Sequence, residues 1–118
     1  MLLLSLPTFG QSLKNRSTVG KGYAEEQVRL AILAGKHQAL PTDKPLLANN
    51  NIAIAVAEPM LFNIYGKDNI IRQRPYEAYL VFGFWYIMGT LPKDSKGGTF
   101  EIIIEASTSR VIDVNHGK

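Results

Sequence analysis

Residues 76–106 read YEAYLVFGFWYIMGTLPKDSKGGTFEIIIEA, and along them the apolar residues recur with a period of two. Tyr76 to Phe82 and Phe84 to Pro92 are rich in aromatic and β-branched side chains. Gly83 separates them, which predicts a hairpin. A third strand is predicted over Thr99 to Ala106, entered through Gly97 and Gly98. There Phe100, Ile102 and Ile104 alternate with Thr99, Glu101 and Glu105, so the isoleucines face a core and the glutamates face water. Ser107, Thr108 and Ser109 make the next turn, and Val111 to Asn115 forms a short last strand.

Upstream the period changes to that of a helix. Asn51 suits an N-cap, Ile52 to Tyr65 is helical, and Gly66 stops it. Pro59 removes one helical hydrogen bond, which predicts a kink near Ala55 to Pro59 within one helix. Ile52, Val56, Met60 and Ile64 are expected to pack, with Ala53 and Ala57 admitting the sheet closely. One kinked helix on a bent antiparallel β-sheet is an α+β fold of the cystatin-like or nuclear-transport-factor-2-like kind.

The rest of the chain has a different character. Met1 to Ser12 carries the apolar run Leu2, Leu3, Leu4 and Leu6, then Thr8 and Gly10 at small-residue positions; residues 1–11 are read as the remnant of an export signal. That leader implies a place in the periplasm or cell envelope, and without it the chain is cytoplasmic. Residues 12–49 comprise a tether over Lys14 to Gly22, a short helix over Tyr23 to Ala34 stopped by Gly35, and a loop holding Pro41 and Pro45. Val28, Ala31, Ile32 and Gly35 share one stripe of that helix. The domain itself is residues 50–118.

Composition excludes several chemistries. The 118 residues contain no cysteine, hence no disulfide, thiol nucleophile or thiolate-bound zinc. The formal charge of +3 sits in the first 49 residues, and the remainder balances at zero. No basic block or acidic face stands out there, so nucleic acid is not an expected partner. No stretch has the ~18 apolar residues that a membrane span needs. His37 and His116 lack the companions of a metal site, and the phosphate-loop and nucleophile-elbow patterns are missing. Glu101 and Glu105 share a strand face and read as a solvated surface rather than an acid–base pair. Asp113 and His116 are candidates for a polar cluster with Tyr79 or Tyr86, but with no third group to orient them they read as a satisfied surface pair. No catalytic residue, metal or cofactor is expected.

The unusual feature is a concentration of aromatic residues from Tyr76 to Tyr86. Cross-strand packing explains part of it, yet alternation cannot bury Trp85 and both its neighbours on one side. An outward aromatic patch beside Arg72 and Arg74 has the composition of a protein-binding hot spot. Arg72, Arg74, Tyr76, Tyr79, Trp85 and Tyr86 are therefore the candidate partner-binding residues. The competing reading makes the two arginines a solvated pair flanking Gln73.

Several runs in residues 50–118 carry a resemblance: Ala57-Glu58, Leu61-Phe62-Asn63-Ile64-Tyr65-Gly66, and Arg72-Gln73-Arg74-Pro75-Tyr76-Glu77-Ala78-Tyr79-Leu80. Trp85 with Gly89-Thr90-Leu91-Pro92, then Gly97-Gly98, Glu101-Ile102-Ile103-Ile104 and His116-Gly117-Lys118 complete it. In order and spacing they resemble the nuclear-transport-factor-2-fold immunity proteins, the YbbC/YhhH family. Pro59 and the Ser107-Thr108-Ser109 turn depart from the pattern. The resemblance implies an immunity protein of a bacterial polymorphic toxin system, which neutralises a cognate protein toxin by stoichiometric binding without a cofactor. It transfers no toxin-contacting residue and leaves the oligomeric state open. The alternatives are an exported small-ligand-binding module of the same fold and, less favoured, an isomerase or dehydratase using Glu58.

Overall fold

The computed structural model describes residues 15–35 and 44–118, and the chain divides into two units, residues 1–39 and 40–118. The segment read as an export signal, the start of the tether and most of the proline loop, His37 and Pro41 included, lie outside the described residues. In the first unit, α1 spans Gly20–Leu33, beginning three residues before the predicted start. Arg29 holds Glu26 one turn back at 2.6 Å, and none of its side chains is buried.

The second unit is α2 (Asn50–Tyr65), α3 (Lys67–Ile71) and four strands: β1 (Glu77–Val81), β2 (Phe84–Met88), β3 (Phe100–Glu105) and β4 (Val111–His116). The strands pair antiparallel in chain order, as a meander. The helix on a sheet expected from the sequence is thus present, with two differences in α2. Its N-cap is Asn49 rather than Asn51: the Asn49 side chain accepts from the Ile52 backbone N–H at 3.0 Å. Its packed stripe is Ala53, Ala57 and Leu61, all buried, whereas Ile52, Val56 and Ile64 are exposed and Met60 is half-buried. The alanines win the inner face because a small side chain lets the helix backbone lie close to the other elements, which a row of branched side chains would prevent. The helix runs through Pro59 as one element. The carbonyl that loses its helical donor belongs to Ala55, on the exposed side where water can replace it.

Beneath that stripe lie Ile70, Trp85, Ile87, Phe100, Ile102, Ile104 and Ala106, so β3 presents the face expected of it. Leu47, placed by sequence in the proline loop, also belongs to this core. Its N–H donates to Ala106 O at 2.9 Å, and its carbonyl accepts the Trp85 indole N–H at 2.9 Å. Phe82 and Gly83 form the two-residue β1–β2 turn, between the paired residues Val81 and Phe84. Both have positive φ, 52° and 83°, the pattern whose twist matches paired strands. A bulge at Ile103/Ile104 shifts the register of β4.

Candidate functional site

The candidate residues do not meet in one place. Arg72, Arg74 and Tyr76 follow α3, beside a buried polar knot centred on Gln73, which is 0% exposed. Gln73 Oε1 accepts the Phe100 backbone N–H at 2.9 Å; its amide nitrogen donates to Asn69 O at 3.2 Å and lies 3.0 Å from His116 Nε2. Asn69 Nδ2 lies 3.2 Å from the same ring nitrogen. Two amide donors on Nε2 make it an acceptor, which places the imidazole proton on Nδ1, donated to Gly117 O at 2.6 Å. A Cβ on Gly89 would stand 2.2 Å from Gln73 Oε1, and one on Gly98 would stand 2.1 Å from the Gly117 backbone. These glycines are the room in which the knot and the chain end close. Gln73 is therefore buried between two arginines whose own side chains reach solvent, and His116 lies on the inner face, apart from Asp113 and Tyr79.

Arg72 is exposed and reaches Asn69 Oδ1 at 3.3 Å. Arg74 pairs with Glu58 of α2 at 2.7 Å, and the Tyr76 hydroxyl donates to the same carboxylate at 2.5 Å. The Tyr76 ring meets Phe100 edge-on at 5.1 Å. Burial pushes the Glu58 carboxyl up, but the bonds from Tyr76 and Arg74 outweigh it and hold it below the ordinary value. Burial and the bond to Glu58 raise Tyr76 to about 12. Glu58 is thus occupied as an ionic anchor, which leaves it poorly placed as a general base. Ile54, Glu58, Arg74, Pro75 and Tyr76 line an open hollow of 590 Å³.

Trp85 is a core residue, 7% exposed and tied to Leu47, and it leaves the candidate contact set. Tyr79 and Tyr86 lie instead on the outer face of the sheet. Register places Glu77, Met88, Glu101 and Asn115 in one row across the strands, Tyr79, Tyr86, Ile103 and Asp113 in the next, and Val81, Phe84 and Glu105 in a third. All four strand carboxylates fall on this face, and no strand carries a lysine or arginine. An acidic face therefore exists where the balanced charge of the domain suggested none. The Tyr79 hydroxyl donates to Glu77 at 2.6 Å, and that of Tyr86 donates to Glu101. The bond to Glu101, with some burial, lifts Tyr86 to about 12, and the bond to Glu77 raises Tyr79.

Between the carboxylates the face is apolar. Val81, Phe82, Phe84, Tyr86, Ile103 and Ile112 line a hollow of 360 Å³ that opens to solvent. Phe82 at the hairpin tip is 96% exposed. Phe82 belongs to the aromatic concentration read from the sequence but was not among the candidate contact residues, because nothing local showed that it sits at the hairpin tip. Among the described residues no cluster of histidine and carboxylate side chains is placed to hold a metal, and no helix is long and apolar enough to cross a membrane.

Residues 52–118 match the family described as NTF2 fold immunity protein. The chain belongs to this family. Uncharacterized protein YhhH of Escherichia coli strain K12 is 35% identical over 78 residues, covering 65% of this chain and 61% of YhhH. The chain thus spans less than two thirds of that relative's length. No solved structure matches. Within this immunity-family domain, the Gln73 run, Gly89-Thr90, Gly98, Phe100 and His116-Gly117 gather around one buried amide. The residues by which the sequence resembles the family thus include many that close the fold, and Glu77, Tyr79, Glu101 and Ile103 of the outer face belong to the same runs.

Proposed function

We propose that this chain is an immunity protein that neutralises a cognate protein toxin by stoichiometric binding. The observation that carries the reading is the outer sheet face, where an uncovered apolar and aromatic patch is ringed by ordered carboxylates, on a domain of an immunity family. Such a face suits a protein partner, because aromatic side chains supply contact area at low entropic cost and the rim sets orientation. The test is co-expression with the toxic product encoded beside its gene. Protected cells should yield the two proteins as a complex. Protection that persists when no complex forms sinks the proposal.

The small-ligand reading has one observation in its favour, the hollow between α2 and Tyr76. That hollow is wide open, and the space between α2 and the sheet is filled by Leu61, Phe100, Ile102 and Ile104.

A further inference from the structure

Phe82 is held in a conformation and an environment that both disfavour it. A left-handed φ of 52° is sterically costly for a bulky side chain, and the turn it occupies is best served by asparagine before glycine. Its ring is 96% exposed, so it contributes little packing in return. Strain of this kind without a return in the folded state points to a role outside the free fold.

From this tip and the charges around it, we infer that the outer sheet face seats a cationic protein surface, with Phe82 entering an apolar socket on the partner. The inference rests on the partner-binding reading above and names the partner's chemistry. Glu77, Glu101, Glu105 and Asp113 all point outward. The neighbouring cation, Arg110, is turned to Glu105 at 3.8 Å. Tyr79 and Tyr86 hold Glu77 and Glu101 in place, and each carboxylate keeps lone pairs for a further donor. Lysine and arginine around an apolar centre complement this pattern. A second copy docked through the same face would set carboxylates against carboxylates, and phosphate, whether of nucleic acid or of anionic lipid, would be repelled.

The test uses the full chain and the toxic protein encoded beside its gene, with affinity measured at low and high salt. Phe82→Asn should weaken the complex by roughly 30-fold or more while the thermal midpoint of the free chain stays level or rises. A residue needed only for folding would not separate these two readouts. Glu77→Gln and Glu101→Gln should weaken binding less and flatten its salt dependence. Val56→Ser, on the exposed side of α2, should leave binding unchanged. Unchanged affinity for Phe82→Asn, or a loss confined to Val56→Ser, overturns this surface and leaves the partner-binding reading standing. If the parent chain forms no complex, that reading fails and the surface falls with it. A parent dimer in ultracentrifugation that Phe82→Asn dissociates assigns the face to a second copy and likewise overturns the inference.

Discussion

Replacing Gln73 by leucine keeps most of the side-chain volume and removes every polar bond the side chain makes. The Phe100 N–H then loses the acceptor it had at 2.9 Å, in a residue that is 0% exposed. Asn69 O loses its donor, while His116 Nε2 keeps a contact with Asn69 at 3.2 Å. An orphaned buried polar group costs about 1–3 kcal/mol, so the buried Phe100 N–H together with the half-buried Asn69 carbonyl gives a destabilisation of about 2–4 kcal/mol. That is a large share of the roughly 5–15 kcal/mol that stabilises a typical domain. Urea unfolding followed by Trp85 fluorescence is the suitable assay, because the chain's single tryptophan lies in the core of this unit. The midpoint should fall with the m-value unchanged, whereas Arg72→Ala, one residue away and exposed, should stay within about 0.5 kcal/mol. A Gln73→Leu chain as stable as the parent would refute the knot as a source of stability and reduce Gln73 to a space-filling residue.

Two further predictions concern the two faces of the sheet. Ile102→Ala and Ile104→Ala should each destabilise by about 2–5 kcal/mol and Glu101→Ala by no more than about 1 kcal/mol; the reverse order in denaturant titrations would mean that β3 is flipped. In an absorbance titration of the folded chain, Tyr76 and Tyr86 should ionise at about 12, and Glu101→Gln should bring only Tyr86 back toward the ordinary phenol range. Because the folded values are raised, these hydroxyls stabilise the fold fully below the ordinary tyrosine pKa of about 10 and lose that contribution as the pH climbs through about 12. Tyrosines that all ionise together near the ordinary value would contradict the Tyr86–Glu101 and Tyr76–Glu58 bonds.

The strands were legible because Phe100, Ile102 and Ile104 alternate with polar residues, and alternation is a local property of the chain. The face of α2 was legible only in part: Ala53 and Ala57 were expected to lie close to the sheet, but Ile52, Val56, Met60 and Ile64 were expected to pack as well. Nearly every side chain from Ile52 to Ile64 is apolar, so two stripes compete, and close approach of the backbone rather than hydrophobicity selects Ala53, Ala57 and Leu61. The N-cap was missed for a related reason: Asn49, Asn50 and Asn51 are chemically equal, and only the bond to Ile52 N separates them. Gln73 was invisible as a core residue because its partners Phe100 and His116 lie 27 and 43 positions away. The candidate surface was half legible. Tyr79 and Tyr86 were found through their aromatic density, but a domain charge of zero concealed carboxylates that strand pairing collects on one face.

Neutralisation by binding without turnover is open to an equivalence titration. The purified full chain is added in steps to a fixed amount of the toxic protein encoded beside its gene, well above the dissociation constant, and residual toxic activity is followed. Residual activity should fall linearly to zero at a fixed stoichiometric ratio, with the toxic protein's mass unchanged afterwards. Complete neutralisation by a small fraction of an equivalent, or a covalent change in the toxic protein, would contradict it.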